Sequence, residues 1–184
     1  MSYVFEMKDL GELQYCLGLE VWRDSGHNFF SQGKYVRSLL PKFKMDQSKA
    51  AIMPLQQNTE LYNDDGYEEA DATLYRQLVG ILIYLTTTRL DLDYVVSLLS
   101  QFMSKPLESH WVSSKGVLRY LQGTLDFGII YNDLFDVILI VFSDSDWAGN
   151  VDDRQSIIGY AFSIRSRVIT RSNKKQSTLS LFSA

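Results

Sequence analysis

Two hydrophobic periodicities divide the chain. In residues 15–32, Leu17, Leu19 and Val21 alternate with Gly18, Glu20 and Trp22, the period of a strand with one buried face. Asp24-Ser25-Gly26 supplies a turn and Phe29-Phe30-Ser31-Gln32 a return strand, so the pattern predicts a β-hairpin. From 34 to 44 the spacing becomes helical, with Tyr35, Val36, Leu39, Leu40 and Phe43 on one face. Pro41 falls inside that pattern and is expected to stop or kink the helix. Residues 54–71 lose both periods and collect Pro54, Asn58, Asn63, Asp64, Asp65 and Gly66 among acids, the signature of a mobile surface linker.

Three more helices are predicted. One spans about 72–87, with Tyr75, Leu78, Val79, Leu82 and Ile83 on one face and Asp71 or Thr73 as N-cap. A second spans about 92–104, with Asp91 as N-cap, and Pro106 forbids its extension. The third spans about 108–122, turning Trp111, Leu118 and Leu121 inward and Lys115 and Arg119 outward before Gly123. They predict a three-helix bundle over 72–123. From Phe127 the texture is again that of strands: about 127–131, 137–142, 157–163 and 167–170, with a turn at Asn132-Asp133. No helix follows to cover this sheet, which suggests a truncated domain. The fold class is α+β.

Composition narrows the class. The chain has 184 residues, 46% of them apolar and 13% aromatic, a globular rather than disordered mixture. The longest apolar run is six residues, far below the ~20 that span a bilayer. Acids stand early in MSYVFEMKDLG with no apolar core, so no secretory signal is read there. The single Cys16 excludes an internal disulfide and agrees with an intracellular, reducing setting. Charge is asymmetric. Residues 1–153 hold 12 Lys/Arg against 22 Asp/Glu, and residues 154–184 hold six Lys/Arg and no acid. That basic tail either contacts phosphate or is a solvated sheet edge.

The stretch VILIVFSDSDWAG (137–149) runs from a buried-strand pattern into Asp144 and Asp146. Carboxylates at a strand end need water, hydrogen bonds or a cation. An EF-hand loop from Asp144 fails at Ala148 and Gln155, where ligands belong. Trp147 speaks against an aspartyl-phosphatase motif, and a nucleotide-sugar transferase motif has no donor-binding fold before it. Two readings stay open: a two-metal nuclease, or a solvated strand end.

Ordered blocks then add a resemblance. MKDLGELQYCLGLEV (7–21), FFSQGKYVRSLL (29–40), YRQLVGILIYLTTTRLDLDYVVSLLSQFM (75–103), VLRYLQGT (117–124), SDSDWAGNVDDRQSIIGY (143–160) and KKQST (174–178) together resemble the polyprotein of a copia-type LTR retrotransposon. The resemblance implies four parts. Residues 1–53 would end the reverse transcriptase palm, with Leu17, Gly18, Leu19 and Glu20 in a primer-grip-like hairpin. Residues 54–71 would be a linker and 72–126 a helical thumb and connection. Residues 127–184 would open a ribonuclease H-like mixed sheet. Asp144 would be a vestigial catalytic residue and metal ligand, with Asp146 a weaker one. Mg²⁺ is the family cofactor, and stable binding is not expected here. An RNA/DNA hybrid or another nucleic acid is the implied partner, met weakly by Arg89, Lys115, Arg119, Arg154, Arg171, Lys174 and Lys175, with no membrane.

The resemblance also implies losses. The polymerase aspartates precede MKDLG in the family, and the second nuclease carboxylate follows the position of Ala184. Leu90, Ile157, Ile158, Pro41 and Phe182 depart from the family pattern. The chain is therefore expected to be a catalytically inactive Pol fragment, or alternatively a non-catalytic nucleic-acid-binding module that uses the basic segment.

Overall fold

The structure is a computed structural model that describes residues 11–56, 59–132, 138–145, 157–164 and 167–175. The described residues form four α-helices and two antiparallel sheets. No helix among them is long and apolar enough to cross a membrane.

The first sheet starts from the predicted hairpin. Strands β1 (Tyr15–Cys16), β2 (Leu19–Asp24) and β3 (His27–Ser31) are successive and antiparallel. The second turn is Ser25-Gly26, as its residue types require. Helix α1 (Gly33–Leu39) follows, and Pro41 opens a 3₁₀ turn, Leu40–Phe43, that ends it. Proline lacks the amide that a continuing α-helix needs.

Helix α2 (Ala72–Leu85) is capped by Asp71, whose Oδ1 accepts from the amides of Thr73 (2.8 Å) and Leu74 (3.0 Å). Helices α3 (Asp93–Ser100) and α4 (Glu108–Gly123) complete the bundle. Leu78, Val79, Leu82, Leu85, Leu92, Leu99, Val117, Leu118 and Leu121 are wholly buried between them. The Tyr75 hydroxyl, equally buried, donates to the Leu99 carbonyl at 2.8 Å; burial pushes its pKa up. Helix α1 contributes Val36 and Leu39 to the same core.

Three expectations are corrected. Asp91 does not cap α3: that N-cap is Leu92, without a side-chain bond, because the Asp91 carboxylate is held by Arg89 and Tyr120. The acidic segment 54–71 is docked rather than free. Leu61 is buried, the Ala70 amide donates to the Pro106 carbonyl (2.9 Å), and the Glu108 amide donates to the Glu68 carbonyl (2.9 Å). Buried His110 secures it further. Its Nδ1 accepts from the Leu107 amide (3.0 Å), so the ring proton sits on Nε2 and is donated to the Tyr62 carbonyl (3.0 Å).

The third correction concerns the sheet expected to begin at 127. Strand β4 (Gly128–Asn132) pairs with β3, placing Phe29 opposite Ile130 and Phe30 opposite Ile129. It closes the first sheet in the order β1-β2-β3-β4. Gly128 is needed at that junction, because a Cβ would overlap the Phe30 carbonyl oxygen. Among the described residues the second sheet holds β5 (Leu139–Ser145), β6 (Ile157–Ile164) and β7 (Arg167–Lys175), in that order and antiparallel. Among the described residues it is not the mixed sheet expected. The predicted turn residue Asp133 lies outside the described residues.

Candidate nucleic-acid-facing site

The four hairpin residues divide by role. Leu17 and Gly18 form the two-residue turn between β1 and β2, with φ of 50° and 84°. The left-handed region costs a leucine about 1–2 kcal/mol. Two contacts hold it there: the Tyr84 hydroxyl donates to the Leu17 carbonyl, and Gly18 lies against the Tyr35 ring. Tyr35 and Tyr84 meet edge to face at 5.5 Å. Burial, then the neighbouring Tyr84 and Tyr15, push the Tyr35 pKa up. The Leu17 side chain is 84% exposed on this anchored tip. Glu20 turns the other way. It is buried and caps α1, accepting from the Lys34 amide (2.8 Å) and pairing with Lys34 Nζ (3.3 Å). Leu17 is therefore a surface projection and Glu20 a structural cap.

The basic residues also separate. Arg89 is buried. Its Nε and Nη2 donate to the two Asp91 oxygens at 3.0 and 2.7 Å, and its Nη1 and Nη2 donate to Thr124 O and Oγ1 at 3.0 and 2.7 Å. The Tyr120 hydroxyl donates to Asp91 at 2.8 Å, and the guanidinium lies over the Tyr120 and Phe127 rings. Such a bidentate, ring-stacked arginine ties the start of α3 to the end of α4. It presents no surface to a phosphate, which corrects the expectation for Arg89. Burial, the largest influence on Asp91, pushes its pKa up. Hydrogen bonds from Arg89 and Tyr120, with the guanidinium charge, outweigh it and hold the carboxyl below its ordinary range. Burial and then Asp91 push Tyr120 up.

Lys115 and Arg119 stand four residues apart on one face of α4. Lys115 Nζ sits 4.9 Å from the Trp111 ring centroid, and exposed Arg119 donates through Nε to the Lys49 carbonyl (2.9 Å). Arg171 on β7 pairs with Asp93 (3.0 Å) and donates to the Thr86 carbonyl. It thus joins the second sheet to α2 and α3, aided by the Tyr131 hydroxyl, which donates to the Val168 carbonyl at 3.3 Å. The sequence offered no signal for this latch, because Asp93 reads as a first-turn helix acid. Lys174 and Lys175 close β7 opposite Ile158 and Ile157. Arg154 and Asp146 lie outside the described residues.

Asp144 is near the C-terminal end of β5, opposite Gly159 of β6. Among the described residues no three His, Cys, Asp or Glu gather into a cation site.

The chain is 39% identical over 176 residues to the retrovirus-related Pol polyprotein from transposon RE2 of Arabidopsis thaliana, covering 96% of this chain and 12% of that polyprotein. It is 33% identical over 190 residues to the Pol polyprotein from transposon TNT 1-94 of Nicotiana tabacum, covering 98% and 14%. An uncharacterized mitochondrial protein of Arabidopsis thaliana is 34% identical over 182 residues, covering 98% of this chain and 75% of that protein. No protein-family model matches the chain. No solved structure matches it. The ordered blocks of the sequence and these similarities along nearly its whole length agree: the chain belongs to the copia-type retrotransposon Pol polyprotein family.

Proposed function

We propose that the chain is the joining segment of a retrotransposon Pol polyprotein, running from the end of the reverse transcriptase palm through thumb and connection into ribonuclease H. Similarity to Pol polyproteins over 96% of the chain carries this reading. The pairing of β4 with β3 supports placing the start of the nuclease part at β5 rather than at residue 127. As a separate chain it neither polymerises nor cleaves. Residues 154–184 contain no acid, and a divalent ion held by one or two carboxylates keeps most of its hydration and binds weakly. The purified chain is expected to leave an RNA–DNA hybrid intact in Mg²⁺. Cleavage that disappears in Asp144→Asn would overturn this reading.

The Lys115–Arg119 face favours a second reading, a non-catalytic nucleic-acid contact. Binding to a hybrid is then expected to fall steeply with salt and to weaken in a Lys115→Ala/Arg119→Ala double variant. Binding indifferent to salt, or none at low salt, removes it.

A further inference from the structure

The first turn of α4 is built around a buried imidazole. His110 is the third residue of the helix, wholly buried and stacked on the Phe102 ring at 3.9 Å between centroids. A backbone amide can only donate, so the 3.0 Å bond from the Leu107 amide requires an unprotonated Nδ1, and Nε2–H reaches the Tyr62 carbonyl at 3.0 Å. One neutral ring thus caps α4 and holds the acidic segment to it. Leu107 is itself bridged to Glu69 by the flanking bonds, Ala70 N–H to Pro106 and Glu108 N–H to Glu68. The ring and the segment therefore share one backbone junction.

A second ring proton does not fit this junction. At Nδ1 it would set N–H against the Leu107 N–H, two buried donors without an acceptor. The positive end of the α4 dipole lies at the same turn and opposes a cation there. The neighbouring groups leave that balance standing. Tyr75 of α2, 6.4 Å away between centroids, stays neutral because burial pushes its pKa up, and Phe102 after α3 is uncharged. Lys105 and Glu69 pair with each other at 3.3 Å. Glu108, two residues back on α4, is exposed. Asp65, partly exposed, attracts a charged ring, but that attraction does not return to Leu107 the acceptor it loses. We propose that His110 is a proton-operated clasp: neutral, it holds residues 61–70 against the bundle, and the proton it takes up at Nδ1 releases them and frays the first turn of α4. The closed form excludes the proton and the open form accepts it. The closed form is therefore favoured at higher pH and is lost as pH falls, by up to about tenfold in the opening constant per pH unit for one proton. The clasp is independent of any nucleic-acid contact.

Amide hydrogen exchange of the full chain between about pH 7.5 and about pH 5, corrected for the intrinsic pH dependence of exchange, tests it across the range where histidine charges. The Ala70 and Glu108 amides are expected to open at least about tenfold more often at the acid end, while the Leu82 and Leu118 amides keep their protection. His110→Asn keeps an acceptor near the place of Nδ1 but cannot titrate, and is expected to lose this dependence. Asp65→Asn is expected to retain it. Circular dichroism checks the fold of both variants. The imidazole nitrogen shifts of the unsubstituted chain read the same event without a substitution: His110 gains its proton over the pH range in which the two amides open. Opening indifferent to pH, a dependence that survives in His110→Asn, or a His110 that stays neutral while the segment opens each overturns the inference.

Discussion

The helical bundle and the second sheet draw on the same kinds of residue and end in opposite states. Leu78, Leu82, Leu99 and Leu118 are wholly buried, whereas Ile138 and the four apolar residues that open β5, Leu139, Ile140, Val141 and Phe142, stand exposed by a third to a half or more. Burying one such side chain contributes about 1.5–3 kcal/mol. The bundle gathers that contribution many times over, from four helices facing one another. Among the described residues the second sheet has three strands, and polar contacts anchor it to the remainder: Arg171 on Asp93 and Thr86, and Tyr131 on Val168. The difference teaches that apolar composition sets the capacity for a core, while a facing layer decides whether the core forms.

The contrast is breakable by measurement. Leu118→Ala leaves a cavity in the bundle and is expected to lower the unfolding free energy by about 3–4 kcal/mol in urea titrations. Arg89→Met is expected to cost about 2 kcal/mol, since it strands Asp91 and frees the two Thr124 acceptors. It also changes the acid limb. The Asp91 pKa is depressed in the folded chain, so its contribution is present above the ordinary carboxylate range and is lost as pH falls through the lowered folded value. In Arg89→Met that part of the loss with acid is expected to shrink, as thermal denaturation at several pH values will read. Glu20→Gln weakens the cap of α1 and its ion pair with half-exposed Lys34, at about 1 kcal/mol. Val141→Ala on β5 is expected to change stability by less than about 0.5 kcal/mol. If Val141→Ala costs as much as Leu118→Ala, the β5 strand has a buried partner and the comparison fails.

Much of the local structure is legible in the residues alone. The hairpin follows from the alternation around Leu19 and Val21 and from Ser25-Gly26. The extents of α2 and α4 follow from their 3.6-residue spacing, and the start of α2 follows from Asp71. These signals are local, so a short window carries them. Asp91 shows the limit. An acid ahead of a helix looks like a cap whichever groups stand near it in space, and only the return of α4 brings Tyr120 and Thr124 to its side. The acidic 54–71 segment reads as a free linker because the groups that dock it, Pro106 and His110, lie tens of residues away in the chain.

The site divides the same way. Residue identity alone marked Asp144 and the acid-free basic tail, because ionisable groups declare their chemistry wherever they stand. Only the tertiary structure turned Glu20 and Arg89 inward, left Leu17 on the tip, and moved β4 from the last sheet to the first. The physical reason is one of range. Strand and helix periods are set by neighbours along the chain, but a strand's partner and a charge's counter-ion are chosen by contacts that close only when distant segments meet.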